Sequence, residues 1–232
     1  MFQLFSAAHV AALLAAILLC AAVPIYRSKL RDAKAGRIFR RGLAALLVAC
    51  EISLQVSLYL DDGWQVSSLP FQLCSLTLLV SAAALVSRSK RLYPIVFFLG
   101  TLGALQALLT PNLAESFPEF RYFHFFIAHI GIVMTAFYIF AVERYRPTFV
   151  SVLGAMAWLH VLAIPAAIVN IATGTTNFMF LARKPSTASL LDALAPWPWY
   201  LLQLEAVALL MCLLLFGLSR LAAKAGRKSM SA

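Results

Sequence analysis

The stretch Phe5–Tyr26, FSAAHVAALLAAILLCAAVPIY, runs straight into Arg27–Arg41, RSKLRDAKAGRIFRR, and together they decide the fold. The first run carries no Asp, Glu, Lys or Arg. A spanning helix needs roughly 20 apolar residues to cross ~30 Å of hydrocarbon, and this run supplies them. The second holds seven Lys and Arg residues. A basic cluster directly after an apolar run marks a helix whose trailing end faces the cytoplasm. No basic region precedes Phe5, so the run reads as a retained anchor with its N-terminus outside, and not as a secretory signal.

The pattern repeats along the chain. Apolar runs at 5–26, 42–60, 69–87, 94–110, 122–142, 148–169 and 198–218 predict a seven-transmembrane-helix bundle. With 232 residues, 62% of them hydrophobic, and a mean hydropathy of +0.88, no soluble domain could bury this apolar surface. No period-2 pattern of barrel strands appears. The expectation is an all-α polytopic membrane protein, one domain over residues 1–232. Arg27–Arg41, the turn with Arg88, Lys90 and Arg91, the turn with Arg144 and Arg146, and the tail with Arg220, Lys224, Arg227 and Lys228 hold 16 of the 19 positive charges. Only Arg121, Arg183 and Lys184 fall on the other side. This places the N-terminus outside and the C-terminus inside. The net charge of +10 is therefore a topology signal and not a nucleic-acid footprint; membrane lipids are the expected partners. Alanine-rich helices with arginine-rich connections point to a multi-pass protein of a bacterial inner membrane.

The polar residues inside the runs are sorted the other way. Glu51, Gln55, Gln72, Cys74, Gln106, His124, His129, His160, Gln203 and Glu205 lie in the middle or outer half of the predicted bundle. At 1.5 Å per residue, Cys74 lies ~7 Å below the outer surface, His129 and Glu205 ~10 Å, and Glu51 and His160 ~13 Å. Polar groups in hydrocarbon are expensive and mark functional sites. Spacing of i, i+4 and i+7 puts Pro70, Cys74, Thr77 and Ser81 on one face, Glu51 and Gln55 on another, and Gly103, Gln106 and Thr110 on a third. His124 and His129, five residues apart, diverge by about 140°. Two outer connections are rich: PNLAESFPEFR from Pro111 to Arg121, and the long segment from Asn170 to Trp197. The latter is too long for a plain connector and predicts a short interfacial helix near Ser189–Leu194. PWPWY, Pro196–Tyr200, supplies an aromatic anchor at the headgroups.

A cysteine and a histidine in one dry pocket are the parts of a nucleophile and its base. Cys20 and Cys212 sit in the inner half, and Cys50 is the weaker rival of Cys74. With no CxxC spacing and no loop pairing, the four cysteines read as free. A packing role is the ordinary reading of any one of them. The three histidines and two carboxylates show no HxxxH or HExxH, so no metal and no other cofactor is expected. The last run has no Lys for a Schiff base, which sets a retinal protein aside. A non-enzymatic reading stays open: a lipid or small-molecule binder or transporter that uses the same polar layer, with Glu51 and Glu205 as its principal groups.

LPFQLCS (Leu69–Ser75), GALQALLTPNL (Gly103–Leu113), FPEFRYFHFFIAHIG (Phe117–Gly131), TGTTNFMFLARKP (Thr173–Pro185) and PWPWY together resemble the YwaF-like family of bacterial integral membrane proteins. That family is similar, distantly, to a eukaryotic transmembrane acyltransferase that remodels phospholipids. The resemblance, and not composition or spacing, implies a lipid substrate and a lipid acyltransferase or acyl hydrolase. It implies Cys74 as the nucleophile and His129 as its partner, with His124 the other candidate. Gln72, Gln106 or Asn177 would then face the oxyanion and Glu51 or Glu205 would orient the imidazole, with Gln55 and Gln203 supporting.

Overall fold

A computed structural model describes residues 2–184 and 190–228. It is all-helical, with no strand among the described residues. The helices are α1 (Ala7–Ile25), α2 (Arg27–Leu30), α3 (Ala33–Asp62), α4 (Leu73–Ser87), α5 (Thr101–Leu109), α6 (Phe120–Ala141), α7 (Phe149–Thr173) and α8 (Trp199–Lys228). A π-helical turn, Ile95–Gly100, leads into α5. Among the described residues, five helices (α1, α3, α6, α7 and α8) are long and apolar enough to cross a membrane; α4 and the 95–109 segment are apolar but shorter. The protein is thus a multi-pass membrane protein, and every predicted run coincides with a helix.

Local chemistry explains the ends. Ser6 caps α1 through the backbone N–H of His9. The Asp32 carboxylate accepts from Lys34 N and Ala35 N and opens α3. Those two N–H groups, Ala35's foremost, hold the Asp32 carboxyl below the usual carboxylate range. The basic segment read as a loop is therefore largely helix: α3 starts nine residues before the predicted span and is about 45 Å long. Gly63, at φ +70, ends it. Thr148 and Ser151 form a reciprocal capping box at the start of α7, and Gly174, at φ +65, closes its end. The predicted interfacial helix is a 3-10 turn, Leu190–Ala193; Ser189 lies outside the described residues.

The chain divides into two compact units, Met1–Tyr145 and Arg146–Ala232. In the first, α3 packs on α4 and α6, α1 on α6, and the π turn on α4 and α6. One end of this unit is laced by basic side chains. Arg31 donates to Ala141 O at 2.7 Å, Arg40 to Leu85 O at 2.9 Å, and Arg88 grips Glu143 through Nε and Nη2. The hydrogen bond that Arg88 donates to Glu143 raises the Arg88 pKa above its ordinary value. The other end is tied by Phe2 N to Ala114 O, Tyr122 OH to Ala8 O, and His9 Nε2 to Leu108 O. The C-terminal ends of α4 and α6 share the basic end, so these two helices run in the same direction.

His9 was not singled out by sequence pattern, yet it is fully buried. Its Nε2 donates to Leu108 O at 2.9 Å while Phe5 N donates to Nδ1 at 3.0 Å, which fixes the neutral tautomer. The rings of Phe2, Phe5 and Phe126 surround it. His9→Ala orphans the Leu108 carbonyl and opens a cavity, so it is expected to destabilise the protein by about 2–4 kcal/mol. Denaturation in detergent micelles checks this; a loss below about 1 kcal/mol would refute a staple role.

Arg88 closes α4 in the left-handed region, at φ 54. Glycine adopts that conformation freely and alanine does not. Arg88→Gly and Arg88→Ala lose the same ion pair, so the alanine variant is expected to be less stable than the glycine variant by about 1 kcal/mol. Thermal unfolding of the two side by side reads the backbone term alone; equal stabilities would count against it.

Candidate functional site

The first unit brings together the residues around Gly100. A Cβ built there would stand 3.1 Å from Ile132 Cγ2 and 3.8 Å from Thr77 Cβ, so glycine lets the π turn, α4 and α6 approach closely without Ile132 having to shift. One turn further along, a Cβ on Gly103 would lie 3.8 Å from Leu73 Cδ2. Cys74 stands three residues before Thr77, and His129 three residues before Ile132, each on the same face as the contact residue. Because α4 and α6 run the same way, Cys74 and His129 both sit roughly 4.5 Å from the Gly100 contact, toward the end away from the basic lacing. They therefore share a level on two helix faces that converge on the 95–109 segment.

The two histidines of α6 are committed differently. His124 donates Nε2–H to the Cys50 carbonyl of α3 at 3.1 Å. His129 is buried against the Phe125 ring, with centroids 4.2 Å apart. Its Nδ1 lies 2.6 Å from Phe125 O. A carbonyl only accepts, so Nδ1 carries the proton and neutral His129 keeps a lone pair on Nε2. No hydrogen bond engages that atom among the described residues. Cys74 is half-buried, whereas Cys20, Cys50 and Cys212 are buried; all four are free. Gln72 precedes α4 as its N-cap residue. Gln106 donates to Thr110 Oγ1 at 2.5 Å and is exposed. Glu51, 7% exposed, accepts from Gln55 Nε2 at 3.0 Å.

The remaining candidates lie in the second unit. Asn177 accepts from Ala182 N and Arg183 N and donates to Arg183 O, so its amide organises its own loop. Gln203 accepts from Ala195 N at 2.7 Å. Glu205 faces His160, with Oε2 to Nε2 at 3.4 Å. His160 Nδ1 already donates to Met156 O at 2.8 Å, so Nε2 is the nitrogen that meets Glu205. Among the described residues, no group of three His, Cys, Asp or Glu is placed to hold a metal.

Sequence pattern passed over Asn170, which is 4% exposed and read only as the start of a loop. Its Oδ1 accepts from Phe178 N at 2.8 Å and Thr176 Oγ1 at 2.9 Å, and its Nδ2 donates to Phe178 O at 3.0 Å. Tyr200 OH bonds to Phe180 O and Trp197 Nε1 to Leu181 O, which fastens the aromatic anchor to the same loop.

The model of the TMEM164 family matches residues 4–216. The chain belongs to the TMEM164 family. This is a family of transmembrane proteins, and the match takes in α1 to α7, most of α8, and every candidate residue named above. No curated protein and no solved structure matches the chain.

Proposed function

We propose that this member of the TMEM164 family is a membrane-embedded enzyme that transfers or hydrolyses an acyl chain on a lipid, with Cys74 as nucleophile and His129 as base. The observation that carries the reading is the shared level of Cys74 and His129 beside Gly100 and Gly103, with the His129 lone pair on Nε2 and its other nitrogen fixed by Phe125 O. The resemblance to the YwaF-like family supplies the lipid substrate.

The chemistry takes two steps. The Cys74 thiol gives its proton to His129 Nε2 while sulfur attacks an ester carbonyl. The ester C–O bond breaks, the leaving lipid hydroxyl takes that proton, and an acyl thioester remains on Cys74. An incoming hydroxyl then gives its proton to Nε2 and attacks the thioester; the C–S bond breaks and the thiol is restored. A lysolipid hydroxyl gives transfer and water gives hydrolysis. The Gln72 and Gln106 amides are the first-unit donors for the oxyanion.

The same reading takes seven transits, N-terminus outside and C-terminus inside, in a bacterial inner membrane. Contacts at the two ends of the first unit support it. Leu85 and Arg88 of the α4 end meet Arg40 of α3 and Glu143 just beyond α6 at the basic end, and Leu108 of α5 meets His9 at the opposite end. The shorter helices thus connect the same two levels as α6, and the arginines gather at the level the charge rule assigns to the cytoplasm.

Acyl transfer by purified protein, with mixed phospholipids and lysophospholipids read by mass spectrometry, tests the proposal. New acyl combinations from wild type and none from Cys74→Ala would support it; equal activity from both would overturn it.

A further inference from the structure

We propose that the groove on α3 around Glu51 is a separate binding site for a small lipophilic organic cation. The groove, about 330 Å³, is lined by Glu51, Ile52, Gln55, Val56 and Tyr59. That volume lies at the lower end of small-ligand sites and is too small for a two-chain lipid. Its walls are aliphatic and aromatic, and no basic side chain lines it.

Glu51 sets the chemistry. The residue is more than nine-tenths buried, in the middle of an apolar helix. One carboxyl oxygen accepts from Gln55 Nε2 at 3.0 Å. The other has no donor among the described residues. His124 of α6 spends Nε2–H on the carbonyl of Cys50, the residue before Glu51 on α3. Carboxylates at such depth are paired or serve a ligand. A neutral hydrocarbon chain would leave the oxygen unmatched. A phosphate-bearing lipid would meet like charge. A hard metal ion would find one carboxylate and apolar walls, far short of an oxygen cage. An organic cation with an apolar body matches both features: its charge pairs with Glu51 and its body covers Ile52, Val56 and Tyr59. A cation also meets the face of an aromatic ring favourably, which suits Tyr59 near the outer end of the groove.

The test is equilibrium binding of tetraphenylphosphonium to the purified full chain in detergent, with triphenylphosphine oxide as the uncharged control. Wild type is expected to bind the cation saturably, near one per chain, and the control weakly or not at all. Glu51→Gln removes the charge and is expected to weaken binding at least about tenfold. Ile52→Trp keeps the carboxyl and fills the groove; it is expected to weaken binding to a similar degree. Because Ile52 is exposed, this second variant folds even where loss of Glu51 disturbs α3. Unchanged affinity in a folded Glu51→Gln protein, equal binding of the uncharged control, or no saturable binding by folded wild type would each overturn the proposal. The assay reads binding alone, so its outcome does not depend on the acyl chemistry of Cys74.

Discussion

Cys74→Ala is expected to abolish acyl transfer, with a loss of about a thousandfold or more, while the protein stays folded. The substitution removes one sulfur from a half-buried position at the start of α4, so packing changes little. His129→Ala is expected to fall nearly as far. Adding it to Cys74→Ala should lower the rate little further, because a nucleophile and its base act as a unit. His124→Ala separates the two α6 histidines: its Nε2–H serves the Cys50 carbonyl, so its loss should reach stability before rate. Rates from single turnovers, read beside thermal unfolding curves, keep the two effects apart. Full activity in folded Cys74→Ala protein would remove the thioester from the mechanism.

Asn170→Leu is expected to destabilise the protein by about 3–5 kcal/mol, the largest single effect on stability we foresee. Leucine keeps the same branching of heavy atoms but none of the polar ones, so the hydrogen bonds are what is lost. Phe178 N–H, Phe178 C=O and the Thr176 hydroxyl each lose one hydrogen bond in a buried place. The segment they hold includes Met179 and Phe180, both near φ 55, a conformation that persists in non-glycine residues only where surrounding bonds over-determine it. Asn170→Asp keeps both acceptor bonds and loses the donor, so its effect should be smaller. Denaturation, with hydrogen exchange across 174–183, measures both. A leucine variant within about 1 kcal/mol of wild type would show that the loop is held elsewhere.

The apolar runs were legible because hydropathy is a local signal: each of the seven lies on a helix. Helix ends were less so. The first turns of α3 are basic, which hydropathy reads as loop, although the Asp32 cap and helix-compatible residues make them helical. The π turn at Ile95–Gly100 left no trace, since a run buried on all sides has no periodicity to betray a change of pitch. Candidate residues were legible as types but not as partners. His124 and His129 share a helix but not a partner: one meets Cys50 O of α3, the other Phe125 O of its own helix. The partners of Asn177, Gln203 and Glu205 depend on loops and on a neighbouring helix, which spacing along the chain does not encode. His9 escaped notice because its partner, Leu108 O, is a backbone atom 99 residues away.

The approach of Glu205 to His160 also bears on biogenesis. A helix released singly into the bilayer with an unmatched acid carries a penalty of about 2.5–3.5 kcal/mol at mid-depth. Packed together, α7 and α8 give that acid an imidazole 3.4 Å away. The last helix is therefore expected to settle in the lipid more stably once the preceding one is there to receive it.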